Sequence, residues 1–166
     1  MKHRIAVEPA LPQDAEDIRA LVARTIGHSV THDAGLLADT IANVNGNIDL
    51  WLAQPQRCVH LVARVQGPIA GVVLLKDGWN LCSLFVAPES QGGGIGSALL
   101  EAACAACAGL SPKSAVLLNA APGAIGFYER HGFLRRDSTQ ALPPGFQAMG
   151  RAVGLFHAER KPGLIK

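Results

Sequence analysis

The chain has 166 residues, 49% hydrophobic and 17% charged, which suits one domain with a sizeable core and excludes a largely disordered protein. A formal charge of +2, with no Lys/Arg cluster beyond Arg135-Arg136, argues against a nucleic-acid partner. No stretch approaches about 18 uninterrupted apolar residues, and Met1 to Val7 has no apolar run long enough for a signal peptide, so a cytoplasmic protein without membrane span is expected.

In chain order, residues 4–7 read as a short strand. Leu11-Pro12-Gln13-Asp14 then opens a helix, with Pro in a tolerated first-turn position and acids near the positive end. Ile18, Leu21, Val22 and Thr25/Ile26 fall on one face at helical spacing. Residues 27–33 read as a polar loop, followed by a less regular helical region over about 35–52, with a break expected at Asn45-Gly46-Asn47. The pattern then turns to strands. Residues 58–65, a Gln66-Gly67 turn and residues 69–75 form a hairpin, and Asp77-Gly78 is a two-residue turn signal leading into 79–87. Three strands of an antiparallel meander therefore precede a helix over 94–108, closed by Gly109. A strand at 114–118, a helix over 122–131 ended by Gly132 and a short strand at 133–136 follow. The Pro143-Pro144-Gly145 loop leads to a last strand over 146–153, and the tail from His157 is expected to be loosely ordered. With no repeat or linker, residues 1–166 read as a single domain with its core over about 4–153.

Four cysteines are present: Cys58, Cys82, Cys104 and Cys107. Cys104 and Cys107 form a C-x-x-C inside an alanine-rich helical pattern, and no second ligand pair accompanies them. They read as buried, reduced thiols, and no metal is expected.

The densest signal is Leu84-Phe-Val-Ala-Pro-Glu-Ser-Gln-Gly-Gly-Gly-Ile-Gly-Ser-Ala-Leu-Leu100. Strand, glycine loop and helix present unpaired backbone N–H groups at a helix N-terminus, where an anion is favoured. A P-loop would need Lys after the last glycine, but Ser97 follows Gly96. A dinucleotide fingerprint fails on spacing: the sixth position is Ser97 counted from Gly92, or Leu99 counted from Gly94, and a meander conflicts with a parallel βαβ unit. What remains is Gln91-x-x-Gly94-x-Gly96.

Val86-x-Pro88, Gln91-x-x-Gly94-x-Gly96 and Ala98-Leu99-Leu100 together resemble the acetyl-CoA signature of the GNAT superfamily of N-acetyltransferases. Asn119, Pro122, Ala124 and Phe127-Tyr128-Glu129-Arg130-His131-Gly132-Phe133 resemble that family's downstream motif, so the likeness spans about residues 4–153. The resemblance implies an α/β fold: a mixed sheet with an N-terminal antiparallel meander, central strands splayed between 79–87 and 114–119, flanking helices, and cofactor in the gap. It implies that Gly92, Gly93, Gly94, Ile95, Gly96 and Ser97 hold the pyrophosphate of acetyl-CoA, a co-substrate, while Gln91, whose amide carries no charge, sets the geometry of that loop. Phe85 and Val86 would pair with the pantetheine arm by their backbone, as an added strand would. A backbone N–H near Leu84 or Phe85 would polarise the thioester carbonyl. Asn119 and Phe127 would complete the cofactor site, and Tyr128, the one tyrosine of the chain, would be the general acid for the departing thiolate.

The general base is not assignable. The strand Trp79-Asn-Leu-Cys-Ser-Leu-Phe-Val86 carries no acid, whereas many family members place a Glu there. Glu89 lies beyond that strand and reads as solvent-facing. Asn80 or Ser83 could position a water, His28, His32 or Asp33 could reach in from the first loop, and His60 and His131 read as structural. The reading is therefore an acetyl-CoA-dependent N-acetyltransferase acting on a small-molecule or peptide amine. Its alternative is a non-catalytic acyl-CoA-binding or sensing domain of the same fold. An exposed strand edge at the C-terminus could pair two chains.

Overall fold

The computed structural model describes residues 4–30 and 33–154. Cys58–Arg64 (β2) and Ile69–Lys76 (β3) are apolar almost throughout and pair antiparallel, so both their faces must be covered. Asp77 and Gly78 take φ of 56° and 77°, the left-handed pair of a tight hairpin turn, and pass the chain to Asn80–Val86 (β4). The three-strand meander β2-β3-β4 is as expected, and Ala6–Pro9 (β1) adds a fourth antiparallel strand by pairing with β2. Ala115–Ala120 (β5), Leu134–Arg135 (β6) and Gln147–Ala152 (β7) complete a seven-stranded sheet among the described residues, in the order β1-β2-β3-β4-β5-β7-β6.

Alternation along the strands feeds two cores. Val59, Leu61, Val73 and Leu75 face Ile95–Cys107 (α3) and Ile125–Arg130 (α4), with Leu99 and Leu100 fully buried against them. Val62, Val72 and Leu74 face the other way, against Ile18, Leu21 and Val22 of Ala15–Thr25 (α1) and Val44, Ile48 and Trp51 of Ala34–Ala53 (α2). Burying each such side chain contributes roughly 1.5–3 kcal/mol. Gly71 lets α3 lie close on β3, since a Cβ there would sit 2.9 Å from Leu99 Cδ1 and 3.1 Å from the Phe85 carbonyl oxygen.

Three sequence expectations are corrected. Helix α2 runs through Asn45-Gly46-Asn47 without a break. A helical glycine costs about 1 kcal/mol relative to Ala, but Val44, Asn47, Ile48 and Trp51 are buried along one face, and Arg19 donates to Asn45 Oδ1 (3.0 Å) and Asp49 Oδ1 (2.6 Å). The polar stretch after α1 is not all loop. Ile26–Val30 forms a π-helical turn because Ile26 is fully buried and holds the chain against the core. Asp33 then caps α2, accepting from the Leu36 N–H at 2.8 Å. The last strand offers no free edge: β7 lies between β5 and β6, so on that side of the sheet the edge is the two-residue β6. The tail from His157 lies outside the described residues.

Candidate cofactor cleft and active site

Strands β4 and β5 run parallel and pair only at Asn80 and Leu117, where the Leu117 N–H donates to the Trp79 carbonyl at 2.8 Å. Beyond that point β5 continues to pair with β7, and β4 with β3, but not with each other. The sheet splays into a wedge. Its walls carry unpaired strand edges, and such groups call for partners. The β3–β4 register also slips between Leu74 and Leu75, leaving an extra residue, Cys82, between Ser83 and Leu81. Bulges of this kind gather beside functional sites.

Leu84, Phe85 and Val86 lie half-buried on this edge, Leu84 and Val86 packed toward the α3 core and Phe85 toward the α1 core. The Val86 carbonyl is engaged: the Gln91 side-chain amide donates to it at 3.1 Å, so Gln91 shapes the loop. Past the turn at Pro88–Ser90, Gly92 and Gly94 adopt φ of 83° and 86°, a conformation that a side chain would strain. Gly94 is the N-cap of α3 and supplies no side-chain cap; its carbonyl accepts from Ala98 at 3.0 Å. The N–H groups of Ile95, Gly96 and Ser97 therefore have no partner within the helix and point outward.

A cleft of about 390 Å³ opens over these groups. Val86, Gln91, Gly92, Gly94, Ile95, Gly96, Ser97 and Phe127 line it, all of them sequence candidates. Gly93, Leu84, Phe85, Asn119 and Tyr128 do not. Gly93 is exposed on the loop, Leu84 and Phe85 lie further along β4, and Asn119 is exposed on β5. Asn119 does not cap the following turn, whose N-cap is Ala121 with no side-chain bond. Tyr128 is 7% exposed, packed edge-on against Phe127 and Phe133. Burial pushes its phenol above the ordinary value, with the buried Cys104 thiol adding to the effect.

Ser90 and Arg130 also line the cleft, and the sequence reading missed both. Arg130 is exposed and forms no ion pair among the described residues. Its guanidinium lies back along α4, 3.3 Å from where a Cβ on Gly126 would stand. The clue was available: Arg130 follows Phe127 by three residues and shares its helix face.

Behind Phe127, Ser97 Oγ is 2.9 Å from His131 Nε2, and His131 Nδ1 is 3.1 Å from Glu101 Oε1. Arg151 of β7 donates to both oxygens of Glu101, at 2.8 and 3.1 Å. Arg151 first, and His131 second, hold the Glu101 carboxyl below its usual range.

The base candidates are dispersed. Ser83 is buried with no partner for its hydroxyl among the described residues, and Asn80 is half-buried. His28 is exposed, Asp33 caps α2, and His32 lies outside the described residues. Glu89 is held by Arg24 at 2.6 Å, which keeps its carboxyl below the usual range. His60 packs edge-on against Trp51, and burial pushes its imidazole down to about 4. All four cysteines are free. Burial raises the thiols of Cys82 and Cys104 to about 11 and that of Cys107 to about 12, which makes them inert at neutral pH. Among the described residues, no cluster of three or more His, Cys, Asp or Glu could hold a metal, and no helix is long and apolar enough to cross a membrane.

The family model described as an Acetyltransferase (GNAT) domain matches residues 51–142, more than half of the chain. The chain belongs to the GNAT acetyltransferase family. Its match begins in α2 and covers the meander, the glycine loop, α3, β5, α4 and β6. Solved structures share the fold of this GNAT chain. A GCN5-related N-acetyltransferase from Rhodopseudomonas palustris is 21% identical at a TM-score of 0.71, covering 92% of this chain and 98% of that one. The PaiA N-acetyltransferase of Thermoplasma acidophilum, solved with coenzyme A, is 17% identical at 0.68, covering 90% and 99%. A GNAT acetyltransferase of Brucella melitensis, solved with acetyl-CoA, is 23% identical at 0.62, covering 94% and 97%. No curated protein sequence matches the chain significantly.

Proposed function

We propose that this GNAT protein binds acetyl-CoA in the wedge between β4 and β5 and passes its acetyl group directly to a primary amine. The observation that carries the proposal is the continuity of the splayed β4 edge with the glycine cleft at the start of α3. The loop N–H groups and Arg130 would converge on the pyrophosphate, an arrangement worth more than the helix dipole alone, which contributes about 0.3–2 kcal/mol. The β4 edge would pair with the amides of the pantetheine arm, and a β4 N–H near Leu84 or Phe85 would polarise the thioester carbonyl. That two similar structures hold coenzyme A or acetyl-CoA supports this assignment of the cleft.

Transfer requires protons to leave the acceptor nitrogen and one to reach the departing sulfur. The acceptor ammonium, with pKa about 10, must lose a proton before its nitrogen attacks the carbonyl carbon. The tetrahedral intermediate then expels the CoA sulfur as Tyr128 donates its phenolic proton to it, and the second proton lost by the acetylated nitrogen balances the one that restores the phenol. A buried phenol stays protonated throughout the working range, so Tyr128 is always charged with that proton. Donation to a thiolate of pKa about 8.5 is uphill by at least 1.5 units, or about 2 kcal/mol. Its role is therefore to share a proton in the transition state rather than to transfer it fully beforehand.

One observation favours the alternative of a non-catalytic acyl-CoA binder: β4 carries no carboxylate, and the nearest acid after it, Glu89, is engaged by Arg24. Release of free thiol from acetyl-CoA across a panel of small amines and peptides decides between the two. Thiol release that depends on the amine supports the transferase, and tight acetyl-CoA binding with no release from any amine supports the binder.

A further inference from the structure

The chain of contacts from Ser97 through His131 to Glu101 and Arg151 joins three elements and ends in the cleft. Glu101, a carboxylate, can only accept at His131 Nδ1, so a neutral His131 carries its proton there and presents a bare Nε2. The single hydroxyl proton of Ser97 is then donated to Nε2, and Ser97 turns lone pairs toward the cleft. An anion placed there meets oxygen lone pairs. When His131 gains a proton the direction reverses: Nε2–H donates to Ser97 Oγ, and the hydroxyl proton is released toward the cleft.

Resting on the reading of this cleft as a coenzyme A pyrophosphate site, we propose that His131 is a positioning residue whose protonation turns the Ser97 hydroxyl into a donor for that pyrophosphate. Cofactor binding and proton uptake then reinforce each other, as linkage requires. One proton moves from solvent to Nε2, and no covalent bond changes. The charged groups around His131 are consistent with this coupling. Glu101 faces it from α3 and steadies the imidazolium, while Arg151 of β7 occupies both Glu101 oxygens and keeps that carboxylate in place. On its own helix Arg130 faces the cleft, and Glu129 is drawn to Arg135 of β6 at 3.4 Å. Phe127 packs 4.7 Å from the imidazole between ring centres, and Phe127 and Ser97 line the cleft whereas His131 does not, so the group offered to the ligand is the hydroxyl of Ser97 rather than the imidazole.

The probe is dephospho-CoA, which carries the pyrophosphate but lacks the 3′-phosphate that would itself titrate. Calorimetry from pH 5.5 to 8, repeated in buffers of different ionisation enthalpy, reads both affinity and proton uptake. For the wild type, affinity should fall about tenfold as pH rises, within the ~5- to 150-fold range of coupled sites, with net proton uptake on binding. His131→Gln, which keeps a polar partner for Ser97 but cannot titrate, should bind with a flat pH profile and no uptake. Ser97→Ala should flatten the profile in the same way, and melting curves check that both variants fold. Parallel pH profiles in wild type and His131→Gln would overturn the proposal while leaving the coenzyme site intact. Failure of the wild type to bind dephospho-CoA or acetyl-CoA at any pH would overturn both.

Discussion

Acidification from pH 7 to 4 should destabilise this protein partly through one buried imidazole. His60 sits on β2 beneath α2, 5% exposed, with its ring against Trp51 and no partner for Nδ1 among the described residues. Burial lowers its folded pKa from 6.5 to about 4, against a smaller opposing pull from Asp14. Because the folded value lies below the unfolded one, the unfolded chain takes up the proton first as pH falls. Stability linked to His60 is therefore full above pH 6.5, declines through the window from 6.5 to about 4, and is fully lost below it. That gap corresponds to about 3 kcal/mol at 1.36 kcal/mol per unit, a large fraction of the 5–15 kcal/mol that holds a typical domain folded. Urea unfolding at pH 7 and pH 4, compared between wild type and His60→Leu, isolates this share, since acid effects from the carboxylates of Asp77, Glu89 and Glu101 are common to both. The wild type should lose about 3 kcal/mol more than the variant on acidification. Equal losses would mean that His60 is hydrated or charged in the folded protein, and the reasoning would be refuted.

Tyr128→Phe should lower turnover by about 100- to 10,000-fold while leaving acetyl-CoA affinity nearly unchanged; steady-state kinetics showing full turnover would remove the phenol from the mechanism. Arg130→Gln should weaken acetyl-CoA by roughly tenfold or more, the scale of one charge-assisted hydrogen bond, and reduce the salt dependence of binding; unchanged affinity at low salt would exclude Arg130 from the cofactor's phosphates. Gly71→Ala should cost about 1–3 kcal/mol in a thermal melt, because its Cβ would press on Leu99, Ile95 and the Phe85 carbonyl. A melt indistinguishable from wild type would mean that α3 moves off the sheet at no cost.

The strand–loop–helix unit was legible because its signals are local: apolar runs, turn pairs such as Asp77-Gly78, and glycines at Gly92 and Gly94 whose left-handed geometry other residues resist. Such signals give the order of elements along the chain, and the resemblance to the GNAT motifs gives eight of the ten residues lining the cleft. What escaped depends on contacts between distant segments. The continuity of α2 through Gly46 comes from a buried face and from Arg19, 26 residues away from Asn45 in sequence. The pairing of β1 with β2, and the position of β7 inside the sheet, are long-range choices that strand patterns alone do not encode. His131, Glu101 and Arg151 each read as a residue without a site role until the fold joins them to Ser97 in one chain of contacts. The base was not legible for a different reason: β4 has no acid at all, so no residue pattern singles out one candidate.

Every role proposed for this cleft depends on its binding acetyl-CoA. Gly94 supplies the sharpest control, since a Cβ at that position meets nothing within 4 Å yet would stand at a φ of 86° beside the cleft, so a bulky side chain there strains the loop and fills the cofactor's path. Titration calorimetry of the wild type and Gly94→Trp with acetyl-CoA, coenzyme A and NAD is the direct measurement. The wild type should bind acetyl-CoA and coenzyme A but not NAD, and Gly94→Trp, still folded by its melting curve, should lose both. Binding of NAD, or no binding of acetyl-CoA by the wild type, would contradict this assignment of the cleft.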